Sequence, residues 1–189
     1  ETGVVRNLTL EDASIEYTKS DSQTPAALVS RNKGVIDHCF VQNSAVVSQY
    51  NACTGGLAGL NEGWISHCGV EGGSAYSTKI GGFVGRNLGR IDQCFATASV
   101  SGAKWVGGFA GGQEGGTISN CYALGTVTAT GDAAGGFTGF FITYDSSNPS
   151  VLQTVYAAND VKAQVGGPLA GSNQTVAKDG DGTAVNCYY

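Results

Sequence analysis

The sequence predicts an all-β chain folded as a parallel β-solenoid (β-helix) of about six coils, 26–31 residues each. Three observations carry that expectation. First, one sentence is written again and again. Gly81-Gly82-Phe83-Val84-Gly85-Arg86-Asn87-Leu88-Gly89-Arg90-Ile91-Asp92-Gln93-Cys94 has copies that open at Gly55 and close at Cys68, and open at Gly107 and close at Cys121. A glycine-poor copy opens at Ala26 and closes at Cys39, an expanded one opens at Gly135, and a last one opens at Gly166 and closes at Cys187. The starts are 29, 26, 26, 28 and 31 residues apart, a period that marks stacked supersecondary units. Second, each unit divides into short strand-like runs between Gly, Asn and Ser turns, with no segment long enough for a capped helix. Third, one such unit cannot bury its own apolar face. Stacked in parallel at ~4.8 Å per coil, six units give a rod of roughly 29 Å with a continuous core.

Composition bounds the rest. With 189 residues the chain fits one domain, residues 4–189. Thirty glycines without a Gly-X-Y period exclude collagen, and 41% hydrophobic residues argue against disorder. A net charge of −5 makes nucleic acid an unsuitable partner, because phosphate binding needs a basic stripe. No run of ~18 apolar residues predicts membrane insertion. Six cysteines without a CxxC pair speak against a zinc ribbon or a thioredoxin-type site. Residues 1–3, Glu1-Thr2-Gly3, read as vector-derived.

In chain order, residues 4–25 form lead-in strands that cap the array, with Val5, Leu8, Leu10, Ala13 and Ile15 separated by polar positions. The coils occupy residues 26–189. In the unit opening at Gly81 the strand candidates are 82–85, 90–100 and 104–106. Cys94, Ala96, Ala98 and Val100 alternate onto one face. Ile91 and Cys94 are three apart, so Asp92-Gln93 should form a corner, as should Asp37-His38, Ser66-His67 and Ser119-Asn120. The paired glycines suit corners that need φ > 0 or close backbone approach. Small residues are expected to dominate the inward columns. The unit opening at Gly135 departs from the pattern after Gly139: residues 140–152 read as an insertion, and Val155 replaces the repeat cysteine.

The stretches from Gly81 to Cys94 and Gly115-Gly116-Thr117-Ile118-Ser119-Asn120-Cys121-Tyr122-Ala123-Leu124-Gly125 resemble GLUG repeats, and Val5-Arg6-Asn7-Leu8-Thr9-Leu10-Glu11-Asp12-Ala13 resembles the usual lead-in to such arrays. The resemblance covers nearly the whole chain. It implies a bacterial secreted or cell-surface protein and part of a larger chain, since such repeats occur in adhesins and beside the catalytic part of zinc metallopeptidases that cleave immunoglobulin A. No catalytic residue of such peptidases carries over: a His-Glu-x-x-His motif is needed, and the two histidines, His38 and His67, stand 29 residues apart.

Several constellations remain as candidates. Cys39, Cys68, Cys94 and Cys121 fall in one column, which Cys187 continues. A ladder of reduced thiols and disulfides Cys39–Cys68 or Cys94–Cys121 are both open, because stacked Cα atoms lie close to bridging distance but poorly oriented for it. His38 and His67 beside Cys39 and Cys68 invite a zinc reading, but sequence neighbours point to opposite faces, so a polar corner ladder with Gln93 and Asn120 is expected and no metal. No cofactor is expected otherwise, with Asp179 and Asp181 the one pair that resembles half a calcium loop. Phe140, Phe141, Tyr144, Trp64 and Trp105 lie in the insertion or at corners and are the candidate binding residues, since loops on rigid scaffolds carry function. Carboxylates too scattered for acid–base work, and histidines placed at corners, leave no catalytic set. The expected function is a non-catalytic binding module, monomeric as a fragment, that contacts a host protein or glycan. A substrate-positioning or spacer domain beside a peptidase, and a purely structural stalk, are the alternatives.

Overall fold

The computed structural model describes residues 3–19, 23–50, 52–131, 133–175 and 182–189. Glu1, Thr2, Asp179 and Asp181 lie outside them, so the calcium reading falls outside the described residues. The chain is all β: every strand is parallel to its neighbours, and about six turns of a β-solenoid stack one on another. Each coil crosses three sheets. Short strands that end on a glycine (Cys53–Gly55, Lys79–Gly81, Val106–Gly107, Ala133–Gly135, Val165–Gly167), the first of its pair in all but the last, form a five-stranded sheet. The next strand of each coil (Val29–Asn32, Ala58–Asn61, Val84–Asn87, Ala110–Gln113, Thr138–Thr143, Ala170–Thr175) belongs to a six-stranded sheet. The remainder of the coil, with the lead-in strands Val4–Arg6, Thr9–Glu11 and Ser14–Tyr17, builds a bent fifteen-stranded sheet.

Register shows how the sequence period becomes columns. Gly55, Gly81, Gly107, Gly135 and Gly167 pair in succession. The last coil therefore opens at Gly167, one residue later than the glycine pattern suggests, and the final step is 32 residues rather than 31. The glycine pairs need close approach rather than positive φ. A Cβ on Gly81 would collide with the Val84 carbonyl oxygen, and one on Gly82 with the carbonyl of Gly108 in the next coil.

The expectation of small inward residues holds only in part. Ile36, Ile65, Ile91, Ile118 and Leu152 form one buried column. Phe83, Phe109 and Phe137 form another, their rings stacked at 4.7 and 4.8 Å. Parallel register places identical side chains directly over one another, so large rings fill the interior without conflict.

The corner inferred from the Ile-to-Cys spacing is real and has one conformation throughout. Asn7, His38, His67, Gln93, Asn120, Thr154 and Asn186 occupy the left-handed region, with φ between 52° and 54°. Asparagine tolerates this region and Thr154 does not suit it; Thr154 stands in the coil where Val155 has replaced the cysteine.

Beside this corner the cysteines are free thiols, so of the two open readings the reduced ladder is the one seen, without the Cys39–Cys68 or Cys94–Cys121 bridge. Each sulfur is already engaged. The Cys39, Cys68 and Cys94 amides donate to Sγ of Cys68, Cys94 and Cys121 at 3.3–3.4 Å. Each thiol donates to the carbonyl two residues earlier, from 2.9 Å at Cys121–Ser119 to 3.4 Å at Cys39–Asp37. Cys187 repeats that contact to Val185 at 3.5 Å at the half-buried end of the column. The Cys94 hydrogen bond and burial push the Cys68 thiol up, and burial with Cys121 does the same to Cys94, so the thiolate needed for exchange is suppressed.

A second ladder was not anticipated. The Asn32 side-chain amide donates to Asn61, Asn61 to Asn87 and Asn87 to Gln113, at 2.8, 2.8 and 2.9 Å. All four side chains are buried, and each asparagine Oδ1 also accepts the amide two residues on. Pairing of this kind satisfies polar groups that burial would otherwise penalise by roughly 1–3 kcal/mol each.

Candidate functional site

The register assigns the aromatic candidates to three different places. Phe140 and Phe141 are not in an insertion: they pair with Gly112 and Gln113 as regular members of the six-stranded sheet, and both are 4% exposed. Phe141 takes the ladder position after Gln113 and joins the main core, so it is corrected from binding residue to core residue. The extra residues begin later, at residues 144–150, because the strand Thr138–Thr143 carries the sheet two positions past Phe141. Trp64 is 44% exposed but stands on the fifteen-stranded sheet, with the Arg90 guanidinium 5.5 Å from its ring centre. It is remote from the other candidates in the fold. Phe140, like Phe141, is a buried residue, stacked against Trp105, and Trp105 and Tyr144 are the candidates the structure brings together.

Their meeting place is a cavity of about 190 Å³ lined by Cys53, Lys79, Arg86, Trp105, Glu114 and Tyr144. Two columns build it. Cys53 and Lys79 pair directly in the five-stranded sheet, with Trp105 at the next level. Arg86, Gly112 and Phe140 pair in the six-stranded sheet. Glycine at 112 is what opens the space, since a Cβ there would stand 2.8 Å from the Glu114 carboxylate. Into that gap Glu114 reaches back to Arg86, whose Nε donates to Oε1 at 2.9 Å while Nη2 pairs with Oε2. The Trp105 ring stacks on Phe140 at 4.6 Å and 15°, and the Lys79 ammonium lies 4.1 Å above its other contact surface. Tyr144, 49% exposed, closes the rim.

Two features of this place stand out. Trp105 has φ of 47°, a conformation that costs a bulky residue roughly 1–3 kcal/mol and that gathers at functional positions. Glu114 is only 3% exposed. The segment after Tyr144 folds back beside it: the Asn148 amide donates to the Leu88 carbonyl at 2.9 Å and lies against Gly115, and the Ser150 hydroxyl donates to the Gln113 carbonyl at 3.3 Å. Burial works against the Arg86 charge, but the hydrogen bonds and negative charge of Glu114 outweigh it and raise the guanidinium above its ordinary value. Burial, then Glu114, pushes the Tyr144 phenol up, and burial does the same to the Cys53 thiol. The site thus offers the exposed ring of Tyr144, a fixed ion pair and one further cation. Its volume is that of a sugar ring or a side chain, below the several hundred Å³ of drug-sized pockets.

Lys79, Arg86 and Glu114 escaped the sequence reading because each looks like an ordinary solvated charge. A signal existed: Glu62 and Glu114 follow the buried ladder residue of their copies by one position, and Arg31 and Arg86 precede it by one.

Two stretches, residues 76–101 and 103–128, match the family model of the GLUG motif. They include Lys79, Arg86, Trp105 and Glu114. The fold is also that of a crystal structure of a candidate immunoglobulin A1 protease from Bacteroides ovatus, with a TM-score of 0.74 and 23% identity. The match covers 95% of this chain and 57% of that one. The chain therefore spans little more than half the length of this neighbour, and the likeness is one of fold. No curated protein matches the chain.

Proposed function

We propose that this chain, which carries the GLUG motif twice on a parallel β-solenoid, is a non-catalytic binding module of an exported bacterial protein that contacts a host protein or glycan. The observation that carries the reading is the cavity between Trp105, Tyr144, Lys79 and the Arg86–Glu114 pair. Its size and chemistry favour a glycan. The exposed ring of Tyr144 covers the C–H face of a pyranose, and a prearranged ion pair supplies both donors and acceptors for hydroxyl groups. The left-handed backbone at Trp105 supports the reading, because strain of this kind is retained where a side chain must be held in place.

The test is a glycan array and a panel of host glycoproteins probed with the purified chain. Binding that is lost in Trp105→Ala and Tyr144→Ala, and retained in Trp64→Ala, is the expected result. A ligand whose affinity is unchanged by both changes would remove the cavity from the account. The second reading is an accessory substrate-positioning or spacer domain of an immunoglobulin A-cleaving peptidase, favoured by the description of the structural neighbour. Immunoglobulin A1 captured by this chain without cleavage would support it. Blank results for every probe would leave a structural stalk.

A further inference from the structure

The left-handed corner column contains two carboxylates whose surroundings are built alike. At Asp92, Oδ1 accepts from the Ser119 hydroxyl at 2.6 Å and from the Asn120 side-chain amide at 2.9 Å. At Asp37, Oδ1 accepts from the Ser66 hydroxyl at 2.8 Å and lies 3.0 Å from His67 Nδ1. In both, a serine and a left-handed residue of the next coil grip one carboxylate oxygen. The Asp37 corner then adds something. His38 Nδ1 lies 3.1 Å from Asp37 Oδ2, and the His38 and His67 rings stack at 4.6 Å and 19°. Asparagine meets the needs of the fold at Asp92, so two imidazoles on one carboxylate exceed what the corner requires.

We propose that Asp37, His38 and His67 form a binding site for a divalent late first-row metal ion, with zinc as its simplest occupant. One carboxylate oxygen and two imidazole nitrogens lie within 4.8 Å of one another. A tetrahedral ion with bonds of ~2.0–2.1 Å needs its ligand atoms about 3.3 Å apart. Each imidazole already stands near that distance from its own carboxylate oxygen, His67 from Oδ1 at 3.0 Å and His38 from Oδ2 at 3.1 Å. The imidazoles, 55% and 45% exposed, have the freedom to bring both nitrogens to one ion. Two nitrogens and one oxygen are a donor set that zinc, copper and nickel accept and that calcium and magnesium do not favour. Coordination through Nδ1 places the proton of each neutral ring on Nε2. The Ser66 hydroxyl orients the carboxylate from outside the coordination shell, and the ion takes the place of the imidazole N–H donors that face Asp37 without it. The remaining position faces solvent, open to water or to a carboxylate of a partner. The neighbouring cysteines take no part, because Cys39 and Cys68 point into the core. Arg6 opposes the ion: its Nε is 3.8 Å from Asp37 Oδ2.

The experiment is calorimetric titration of the tag-free chain with zinc chloride, with the histidine ring resonances followed by NMR. One equivalent of zinc should bind and shift both rings. His67→Asn and His38→Gln copy the Asp92 corner and should fold as before. Each should weaken zinc by more than about a hundredfold, the upper end of what an outer-shell change alone produces. Arg6→Gln should tighten it. Grafting the corner by Gln93→His with Asn120→His should add a second equivalent beside Asp92. The proposal is overturned if no saturable binding occurs. It is equally overturned if the His38→Gln, His67→Asn double variant keeps the original affinity, which would assign the zinc to a thiol such as Cys53.

Discussion

The rod carries the same arginine–glutamate pair twice, in two very different settings. Arg31 and Arg86 stand in one column two coils apart, with Leu60 between them. Each grips a glutamate of the following copy with both Nε and a terminal nitrogen. Arg31–Glu62 lies in the open, its side chains 52% and 28% exposed. Arg86–Glu114 is 35% and 3% exposed, with Trp105, Lys79 and Tyr144 around it. The repeat supplies the pair, and what surrounds a coil decides whether that pair remains surface decoration or becomes the floor of a site. Glycine at 112, a left-handed Trp105 and extra residues after Thr143 are the local changes that convert one into the other.

The largest expected effect comes from breaking the two pairs separately. Glu114→Ala leaves a half-buried guanidinium without its partner and should cost about 2–3 kcal/mol, below the ~3–5 of a fully buried pair because Arg86 keeps part of its contact with water. Glu62→Ala should cost less than about 1 kcal/mol. Urea midpoints of the two variants measure the difference, and equal losses would erase the distinction between the settings. Next comes Trp105→Ala, which uncovers Phe140 and leaves the backbone strain in place, since alanine's Cβ suits φ > 0 no better. A net cost of about 1–2 kcal/mol is expected, together with loss of ligand, whereas Trp64→Ala should change neither by a measurable amount. Tyr144→Ala should shift stability by less than about 0.5 kcal/mol and appear only in binding.

The smallest effect is one of pH. The Arg31 hydrogen bonds hold the Glu62 carboxyl below its ordinary value. With the folded value depressed, the contribution is complete above the unfolded carboxylate value of about 4.3 and is lost as pH falls through the lower, folded one. Arg31→Ala should therefore flatten stability between pH 5 and 3, approximate bounds set by those values. An unchanged acid slope would show that the open pair contributes nothing.

How much of this the sequence discloses depends on which direction a residue acts. Features that run along the rod were legible. Gly55, Gly81, Gly107 and Gly135 gave the register, and the Ile91-to-Cys94 spacing gave the corner that φ at Gln93 reveals. The Asn32, Asn61, Asn87 and Gln113 ladder was equally visible in the aligned copies but carried no meaning until burial was known. Features that act across the rod were hidden. That Phe141 enters the core while Tyr144 faces water depends on the strand Thr138–Thr143 continuing in register, which a broken repeat does not announce. Glu114 closes on Arg86, 28 residues away, and only the coil geometry makes them neighbours. In the sequence His38 and His67 stand beside cysteines that turn inward, whereas the partner they share in the fold is the carboxylate of Asp37.

The backbone hydrogen bonds that join one coil to the next lie along the axis of the rod. A pull applied to its two ends therefore loads them head-on and from the end inwards, so coils should peel away singly while those behind remain intact. Each regular coil holds 26 residues, which extend to roughly 90 Å of chain at ~3.3–3.6 Å per residue in exchange for a few ångströms of rod. Under tension the molecule would act as a ratcheted shock absorber, lengthening in steps that single-molecule stretching can count.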